Sequence, residues 1–332
     1  MGRQAVSSGL PAHQECVVSN GRVVALGIVC ADVIARPVNG IPERGLLVPI
    51  EQLELHTGGC ATNVGIDLVR LGVECSVLGK IGRDGLGDFV LHTLEQEGVD
   101  IRGLRRADGV QTSATVVLVG PDGERSFLHC LGANATFVAE DVDMELVRSA
   151  DVLVIAGSLL MPKLDGEPTA EILRAAKECG TVTLLDTAWD ASGRWMKSIE
   201  TCLPFCDYFL PSEAEAAMLS GVTEPEAMTA SFVAHGARNV IIKLGGRGCL
   251  LRTEDSVIEH VPVPAVSVVD TTGAGDAFVA GFTVGLVHGW DASRCAHLAV
   301  TVGAMCVTAT GASSGVRSFA ETVQVMGREG LM

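Results

Sequence analysis

Residues 268–282 read VVDTTGAGDAFVAGF and join a glycine-rich turn to the start of a long apolar segment. Asp276 is the single acid between the turn at 273–275 and that apolar run. Glycines let backbone N–H groups approach an anion without a Cβ in the way, and a helix beginning near Gly275 would aim its free N–H groups at the same point. An aspartate there can accept a proton from a hydroxyl, or it can simply favour the helix start. The residues alone leave both interpretations open.

Outward from this turn, short apolar strands alternate with helical stretches. Such alternation predicts right-handed crossovers and a mostly parallel sheet covered on both faces. The predicted strands lie at 23–30, 75–79, 151–157, 181–186, 206–211 and 239–246. The predicted helices lie at about 61–70, 84–97, 168–179, 191–200, 212–219, 225–235, 275–288 and 292–308.

A small β element interrupts this pattern. Residues 35–59 contain Pro and Gly between short alternating runs, which predicts hairpin-like pieces outside the main sheet. Two further strands, 113–119 and 125–131, are joined by the turn GPDGE with no helix between them. We therefore predict a flexible leader at 1–20 and one α/β domain over 21–326. Its lid would be built from about 35–57 and 110–132.

Composition and residue patterns disfavour nucleic-acid binding, membrane association and a cysteine-bound zinc site. With 24 basic and 40 acidic residues the net charge is −16, which disfavours nucleic acid or an anionic membrane as a partner. The chain has no uncharged apolar run of membrane-spanning length, and its first residues lack the apolar core of a signal peptide. The 11 cysteines form no CxxC pair and no zinc-like cluster, which favours reduced, buried thiols in a cytoplasmic protein.

Two common nucleotide-binding signatures are absent from the sequence. No GxxxxGK[ST] occurs, since the only lysine of GKIGRDGLG (79–87) precedes Ile81. No GxGxxG links a first strand to a helix either. The Walker-type and dinucleotide-binding interpretations therefore lose their main support.

The turn itself resembles a family signature. DTTGAGDAF, followed closely by GF, resembles the second signature of the ribokinase-like, or PfkB, carbohydrate kinases. HTGGCATNVGIDLVRLG (56–72) resembles the first signature, and GKIGRDGLGDFV (79–90) the segment that follows it. The resemblance extends over about residues 22–320. It implies a ribokinase-like α/β fold with a small β-sheet lid, Asp276 as catalytic base, and an anion hole formed by the amides of Gly273, Ala274 and Gly275.

The resemblance also implies a nucleotide site for ATP with Mg²⁺. In NVIIKLGGRGCLL (239–251), Lys243 replaces a threonine usual in the family. It is either an exposed cation at a strand end or a phosphate contact, and the sequence leaves both open. Gly245 and Gly248 would shape the turn beside the nucleotide, with Thr272 near the phosphates.

Two metal sites follow from the same resemblance. In LPSEAEA (210–216), Glu215 matches the glutamate that helps to organise Mg²⁺ through water, although Ser212 stands where asparagine is usual. The structural alternative is that Glu213 and Glu215 only favour the start of a helix. Some family members also bind K⁺, and Asp270, Thr272, Ala309 and Gly311 occupy comparable positions here.

The acceptor site is predicted at the end of the first strand. Asp32 follows the apolar run there, where α/β sheets bind ligands, although a lone acid can also merely cap a turn. The resemblance makes Asp32 a partner of sugar hydroxyls, with Gly58, Gly59 and Asn63 closing the other side. A closing lid would exclude water. In the family such lids often pair, which implies a homodimer.

These observations predict an ATP-dependent kinase acting on a small unphosphorylated sugar such as ribose, fructose or a keto sugar. LLDTAWDASGRW (184–195) has Ala188 and Asp190 where the family often has asparagine and arginine, so no basic pair remains for a sugar phosphate. A nucleoside kinase of the same fold is one alternative. Aromatic residues make up only 4%, with Phe127 and Phe137 near the lid, which favours the sugar. A non-catalytic sugar sensor is the other alternative.

Overall fold

The computed structural model describes residues 21–328, so the leader predicted at 1–20 lies outside the described residues. The described chain alternates strands and helices along most of its length. Its strands are β1 (Val23–Gly27), β2 (Cys30–Arg36), β3 (Gln52–Gly58), β4 (Cys75–Gly82), β5 (Leu104–Ala107), β6 (Ala114–Val119), β7 (Arg125–Cys130), β8 (Val152–Ser158), β9 (Val182–Thr187), β10 (Tyr208–Phe209), β11 (Asn239–Lys243), β12 (Cys249–Arg252) and β13 (Ile258–Val261).

The α-helices connect these strands and cover the sheet. They are α1 (Cys60–Arg70), α2 (Gly85–Gln96), α3 (Met144–Ser149), α4 (Glu167–Glu178), α5 (Glu213–Ser220), α6 (Pro225–Ala234), α7 (Ala274–Val287), α8 (Ala292–Cys306) and α9 (Phe319–Arg328). Short 3₁₀ turns lie at Gly132–Thr136, Ala139–Asp141, Trp195–Ser198, Leu203–Phe205 and Gly245–Arg247.

The main sheet has the order β13-β12-β11-β10-β9-β8-β1-β4-β5. From β5 to β11 all pairs are parallel, and β12 and β13 add an antiparallel edge. The central strands β1 and β8 are buried along their whole length, as expected for apolar strands covered on both faces. One apolar cluster packs α1, α7 and α8 against the sheet, and a second packs α4, α5 and α6 against the other face. The predicted fold class is confirmed.

The second sheet has the order β3-β2-β6-β7 and forms the lid. β2 and β6 are parallel, and the two outer pairs are antiparallel. Because side chains alternate along a strand, Asp32, Thr115, His129 and Arg125 share one face, and Leu55 and Leu128 lie on the other. We call these the inner and outer faces.

The inner face is turned towards the glycine-rich turn. The Arg125 guanidinium on β7 bonds the Asp270 carboxylate at 3.0 Å and the Thr271 hydroxyl at 2.8 Å, and it also contacts the Thr272 hydroxyl. These contacts join residues about 145 positions apart in the chain. The lid therefore rests on the main domain beside the start of α7.

Two predicted elements differ from the structure. The strand predicted over 23–30 is broken, because the Asn134 side chain bonds both the N–H and the carbonyl of Val29, so β1 ends at Gly27 and β2 starts in the lid. The helix predicted over 191–200 is wrong. The Asp190 carboxylate accepts hydrogen bonds from the backbone N–H groups of Ser192 and Trp195, which folds the segment into a loop with only a 3₁₀ turn at Trp195–Ser198.

Helix α7 positions the glycine-rich turn. All of its residues from Ala277 to Gly285 are buried, and α7 packs against α1 and α8, which explains why its sequence is apolar on all sides. Its first turn lies beside the carboxyl edge of the sheet, since Gly275 is next to Lys243, the last residue of β11. Within residues 21–328, no helix is both long and apolar enough to span a bilayer.

Candidate active site

The turn before α7 has backbone N–H groups that can bind an anion. Gly273 caps the helix with φ 74°, and a Cβ on it would lie 2.2 Å from the Ala312 carbonyl oxygen, so only glycine fits. Ala274 N–H makes a long bond of 3.4 Å to Thr271, and no hydrogen bond is found among the described residues for the N–H groups of Gly275 and Asp276. These donors at a helix N-terminus are free to bind a phosphate.

Asp276 lies in that first turn with its carboxylate held in place. The Asn63 side-chain amide donates to its Oδ2 at 2.7 Å, which joins the start of α1 to the start of α7. Burial raises the pKa of Asp276, whereas the Asn63 amide, Lys243 and the Cys60 thiol lower it. A held carboxylate of raised pKa at an anion-binding turn has the geometry of a general base.

Lys243 and Asp186 form a buried ion pair beside this turn. Lys243 Nζ lies 2.5 Å from Asp186 Oδ1, and the two side chains are 13% and 2% exposed. Burial raises the pKa of Asp186 to about 7, an effect that Lys243 opposes and Glu215 reinforces. The pKa of Lys243 is also raised, because Asp186, Glu215 and Asp276 together outweigh its burial, so the amine stays charged. Lys243 is thus not an exposed cation at a strand end.

A cleft of about 680 Å³ lies directly against the turn and Lys243. Gly248 lines it and needs to be glycine, because φ is 87° and a Cβ would lie 1.9 Å from the Val261 carbonyl oxygen. Thr271 also lines it, whereas the hydroxyl of the predicted Thr272 faces Asp270. The lining residues are Lys243, Gly245, Gly246, Gly248, Val263, Pro264, Ala265, Val266, Val268, Thr271, Ala274, Gly275, Phe278, Val300, Gly303, Ala304 and Val307.

Another cleft, of about 730 Å³, lies at the opposite edge of the sheet, where Val182, Tyr208 and Asn239 begin their strands. Parallel sheets bind ligands at the carboxyl ends of their strands. Of the two clefts, the one beside Gly275 therefore lies at the edge of the sheet where a ligand is expected.

Glu215 has one oxygen engaged and one available. Its Oε2 accepts the Ser212 N–H at 2.9 Å, in a capping box that starts α5, and the Thr187 hydroxyl at 3.1 Å. Its Oε1 makes no hydrogen bond to any described residue. Carboxylate oxygens and water are the ligands that Mg²⁺ prefers, so Glu215 and the adjacent Asp186 fit a hydrated Mg²⁺.

The four predicted acceptor residues lie close together. A Cβ on Gly58 would lie 2.1 Å from Asp32 Oδ2. Gly59, with φ 90°, caps α1, and its carbonyl accepts the N–H of Asn63, four residues later, at 3.0 Å. Burial raises the pKa of Asp32, whereas the neighbouring Thr115 hydroxyl and Cys30 thiol lower it. Because Asn63 bonds Asp276 directly, this group continues into the glycine-rich turn.

The predicted cation residues surround the Asp270 carboxylate. Oδ2 accepts the Gly311 N–H at 3.0 Å, and Oδ1 accepts the Thr272 N–H at 2.9 Å and its hydroxyl at 2.7 Å. These bonds and Arg125 lower the pKa of Asp270 against the opposing effect of burial. Ala309 is half-buried in the loop that ends at Gly311.

Three residues of this site escaped the sequence analysis. Cys60 lies with Asp186 and Asp276 in a group whose ligand atoms are all within 4.8 Å of one another. Asp186 ends an apolar strand as Asp32 follows one, and that shared signal could have found it. Arg125 reaches the turn only because the lid folds over it, and no local pattern predicts that.

Comparison with known proteins gives consistent similarities. A model of the pfkB family of carbohydrate kinases matches residues 20–318. The chain is 32% identical to the aminoimidazole riboside kinase of Salmonella typhimurium, over 78% of this chain and 84% of the relative. It is 30% identical to the fructokinase of Klebsiella pneumoniae, over 78% and 88%. A putative ribokinase II of E. coli, solved with ATP and Mg²⁺, is 25% identical, with a TM-score of 0.79 over 93% of this chain and 99% of that one.

Proposed function

We propose that this chain, which belongs to the pfkB family of carbohydrate kinases, transfers the γ-phosphoryl group of ATP to a small, unphosphorylated sugar. The chain is a phosphotransferase that acts on sugar hydroxyls. One observation carries this proposal. Asp276 is held by Asn63 in the first turn of α7, where free N–H groups open onto the cleft beside Lys243.

In the proposed mechanism, Asp276 accepts the proton of the acceptor hydroxyl. The hydroxyl oxygen then attacks the γ-phosphorus in line, and ADP leaves from the opposite side. The amides of Gly273, Ala274 and Gly275 stabilise the charge on the transferred group, because they point at it before the reaction begins.

Lys243 is the cation best placed to meet the phosphates. It lines the cleft, and its Nζ lies about 3.5 Å from where a Cβ on Gly275 would be. A phosphate contact would draw the amine from Asp186, leaving Asp186 and Glu215 as carboxylates for a metal. Mg²⁺ would neutralise phosphate charge there.

A monovalent cation is a secondary part of the proposal. Asp270, Thr272 and Gly311 are brought together by hydrogen bonds, which supports a shared role with Ala309 around one ion. K⁺ would bind at the Asp270 carboxylate, either replacing the Arg125 guanidinium or lying beside it. Activity in K⁺ compared with activity in a bulky organic cation tests this point.

The acceptor is proposed to be uncharged. Arg125, the nearest basic side chain on the inner face of the lid, is engaged by Asp270, Thr271 and Thr272 and is not free to hold a second phosphate. Asp32 would moreover repel an anion beside it. Both observations favour a sugar whose hydroxyls are donors.

A nucleoside acceptor is the second candidate. Phe127, 61% exposed, lies on the inner face of β7 between Arg125 and His129, where an aromatic ring could stack on a base. The second aromatic residue considered, Phe137, is fully buried in the core and is not available. A single ring offers one side of a base clamp, so the sugar remains the better-supported acceptor.

The outer face of the lid supports the proposed homodimer. Leu53, Leu55 and Leu128 are 67%, 41% and 56% exposed on it, and the edges of β3 and β7 have no partner strand within the described chain. Exposed apolar patches and open strand edges are typical of protein interfaces. A second lid would cover both.

The decisive experiment is a substrate panel with ATP and Mg²⁺. Ribose, fructose, 2-keto-3-deoxygluconate, adenosine and inosine separate the sugar kinase from the nucleoside kinase. Turnover of ribose or fructose at a kcat/KM well above that of the nucleosides is expected. Thermal stabilisation by a sugar without any ATP consumption would instead support a non-catalytic sensor.

A further inference from the structure

One row of polar side chains crosses the inner face of the lid. His56, Asp32, Thr115 and His129 lie directly opposite one another on β3, β2, β6 and β7. Residues opposite each other in neighbouring strands have side chains on the same face and in reach of one another. Because Arg125, four residues before His129 on β7, contacts the glycine-rich turn, this face covers the active site.

Hydrogen bonding fixes the proton on His129. Ionised Asp32 can only accept, and the Cys30 thiol donates its single hydrogen to Asp32 Oδ1 at 3.5 Å. Thr115 Oγ1 lies 3.4 Å from Cys30 Sγ, so the Thr115 hydroxyl gives its single proton to that sulfur. Thr115 Oγ1 also lies 3.1 Å from His129 Nδ1 and must accept there. His129 Nδ1 therefore carries the hydrogen, and in the neutral ring Nε2 keeps a lone pair.

His129 is an exposed residue whose second ring nitrogen, Nε2, is available for a ligand. Burial lowers the pKa of His129, which outweighs the opposing effect of Asp32 and keeps the ring neutral at pH 7. Among residues 21–328, none forms a hydrogen bond with its Nε2. His56, at the other end of the row, differs because its Nε2 lies 2.9 Å from Glu54 Oε2 and is already engaged.

We propose that His129 is a specificity-determining residue whose Nε2 accepts a hydrogen bond from one hydroxyl of the acceptor while Asp32 binds another. The inference rests on the proposed kinase function. It assigns the substrate class as uncharged polyols, including furanose sugars and nucleosides. A carboxylate or phosphate at this position would face two acceptors, Asp32 and His129 Nε2, and no donor.

Three substitutions at one position test this assignment. His129→Gln can place an amide oxygen near the Nε2 position, whereas His129→Asn and His129→Ala cannot. For the best acceptor of the panel, we expect KM to rise about fivefold to tenfold in the last two variants, with kcat and the KM for ATP within twofold. His129→Gln should recover most of the lost affinity. His56→Gln is the matched control, and its kinetic constants should stay within twofold of the wild type.

The second readout is the choice between acceptors. The wild-type kcat/KM for fructose or ribose should exceed that for 2-keto-3-deoxygluconate, and His129→Ala should narrow this ratio. An unchanged acceptor KM in His129→Asn, or a wild-type preference for the sugar acid, overturns the role of His129 while leaving the kinase intact. Absence of any sugar or nucleoside turnover in the wild type overturns the proposed function itself. Melting temperatures measured in parallel identify a variant that fails to fold. If His129→Ala or His129→Asn fails to fold, the acceptor KM of His129→Gln and of Thr115→Val is compared with that of the wild type instead.

Discussion

The glycine-rich turn and the inner face of the lid are two parts of the proposed active site, and the chain builds them in different ways. The turn takes Asp270 to Asp276 from one contiguous stretch and anchors it on the buried helix α7. The acceptor side takes Asp32, Thr115 and His129 from three different strands of the lid, and the first and last of these residues are 97 positions apart in the chain. In the proposed mechanism, the residues for phosphoryl transfer are therefore close together in the sequence, whereas those that select the acceptor come from distant parts of the chain.

The largest effect is expected at the turn, from Asp276→Asn. The amide keeps the shape of the side chain but cannot accept the hydroxyl proton, so kcat should fall by about 10³-fold, within the range of general-base losses. Since burial raises the pKa of Asp276, its charge costs folding free energy at neutral pH, and the variant should melt no lower than the wild type. Stopped-time assays and calorimetry measure both. A kcat within tenfold of the wild type would rule out Asp276 as the base.

The next largest loss of activity is expected from Lys243→Met. Losing the cation beside the anion-binding turn should lower kcat/KM by about 10²-fold, the scale for one preorganised donor. Lys243 also lowers the pKa of Asp276, so the pKa of the base rises in the variant. Because the base must be deprotonated, the acid limb of the kcat/KM profile should move to higher pH.

The double variant Lys243→Met with Asp186→Asn provides the control for stability. The single variant leaves the buried Asp186 carboxylate without its partner at 2.5 Å, so its melting temperature should fall. The double variant should regain stability and stay slow. Recovery of turnover in the double variant would mean that Lys243 serves folding only.

These two regions also show what the sequence could predict. DTTGAGDAF and GGCATN each keep their own residues together, so the sequence alone predicts Asp276, Gly273 and Asn63 as site residues. The Lys243–Asp186 pair joins residues 57 positions apart, on the strands β11 and β9 that flank β10, and only the assembled sheet defines it. The helix predicted at 191–200 failed for the opposite reason, because the local hydrogen bonds of Asp190 override helical propensity.

Arg125→Gln tests the contact between the two regions. Without the charge-assisted bonds to Asp270 and Thr271, the lid should rest less firmly on the turn, and the acceptor KM should rise about tenfold. Water then competes for the phosphoryl group, so ATP hydrolysis per sugar phosphorylated should increase. Arg125→Lys retains the charge but not the forked geometry of the guanidinium. Its acceptor KM and its hydrolysis ratio should lie between those of the wild type and of Arg125→Gln. An unchanged hydrolysis ratio would mean that the lid closes independently of Arg125.

The smallest catalytic effect is expected on the far side of the lid. Leu128 lies on the outer face in one row with Leu55, and Leu128→Lys places a charge in the proposed dimer interface without touching the inner face. Sedimentation velocity should then give a monomer, with kcat within twofold of the dimeric wild type. Asp122→Lys, in the exposed turn between β6 and β7, is the control and should stay dimeric. A monomeric wild type would remove the proposed dimer, whereas a large loss of kcat in Leu128→Lys would show that the two faces of the lid are coupled and that dimerisation shapes the acceptor site.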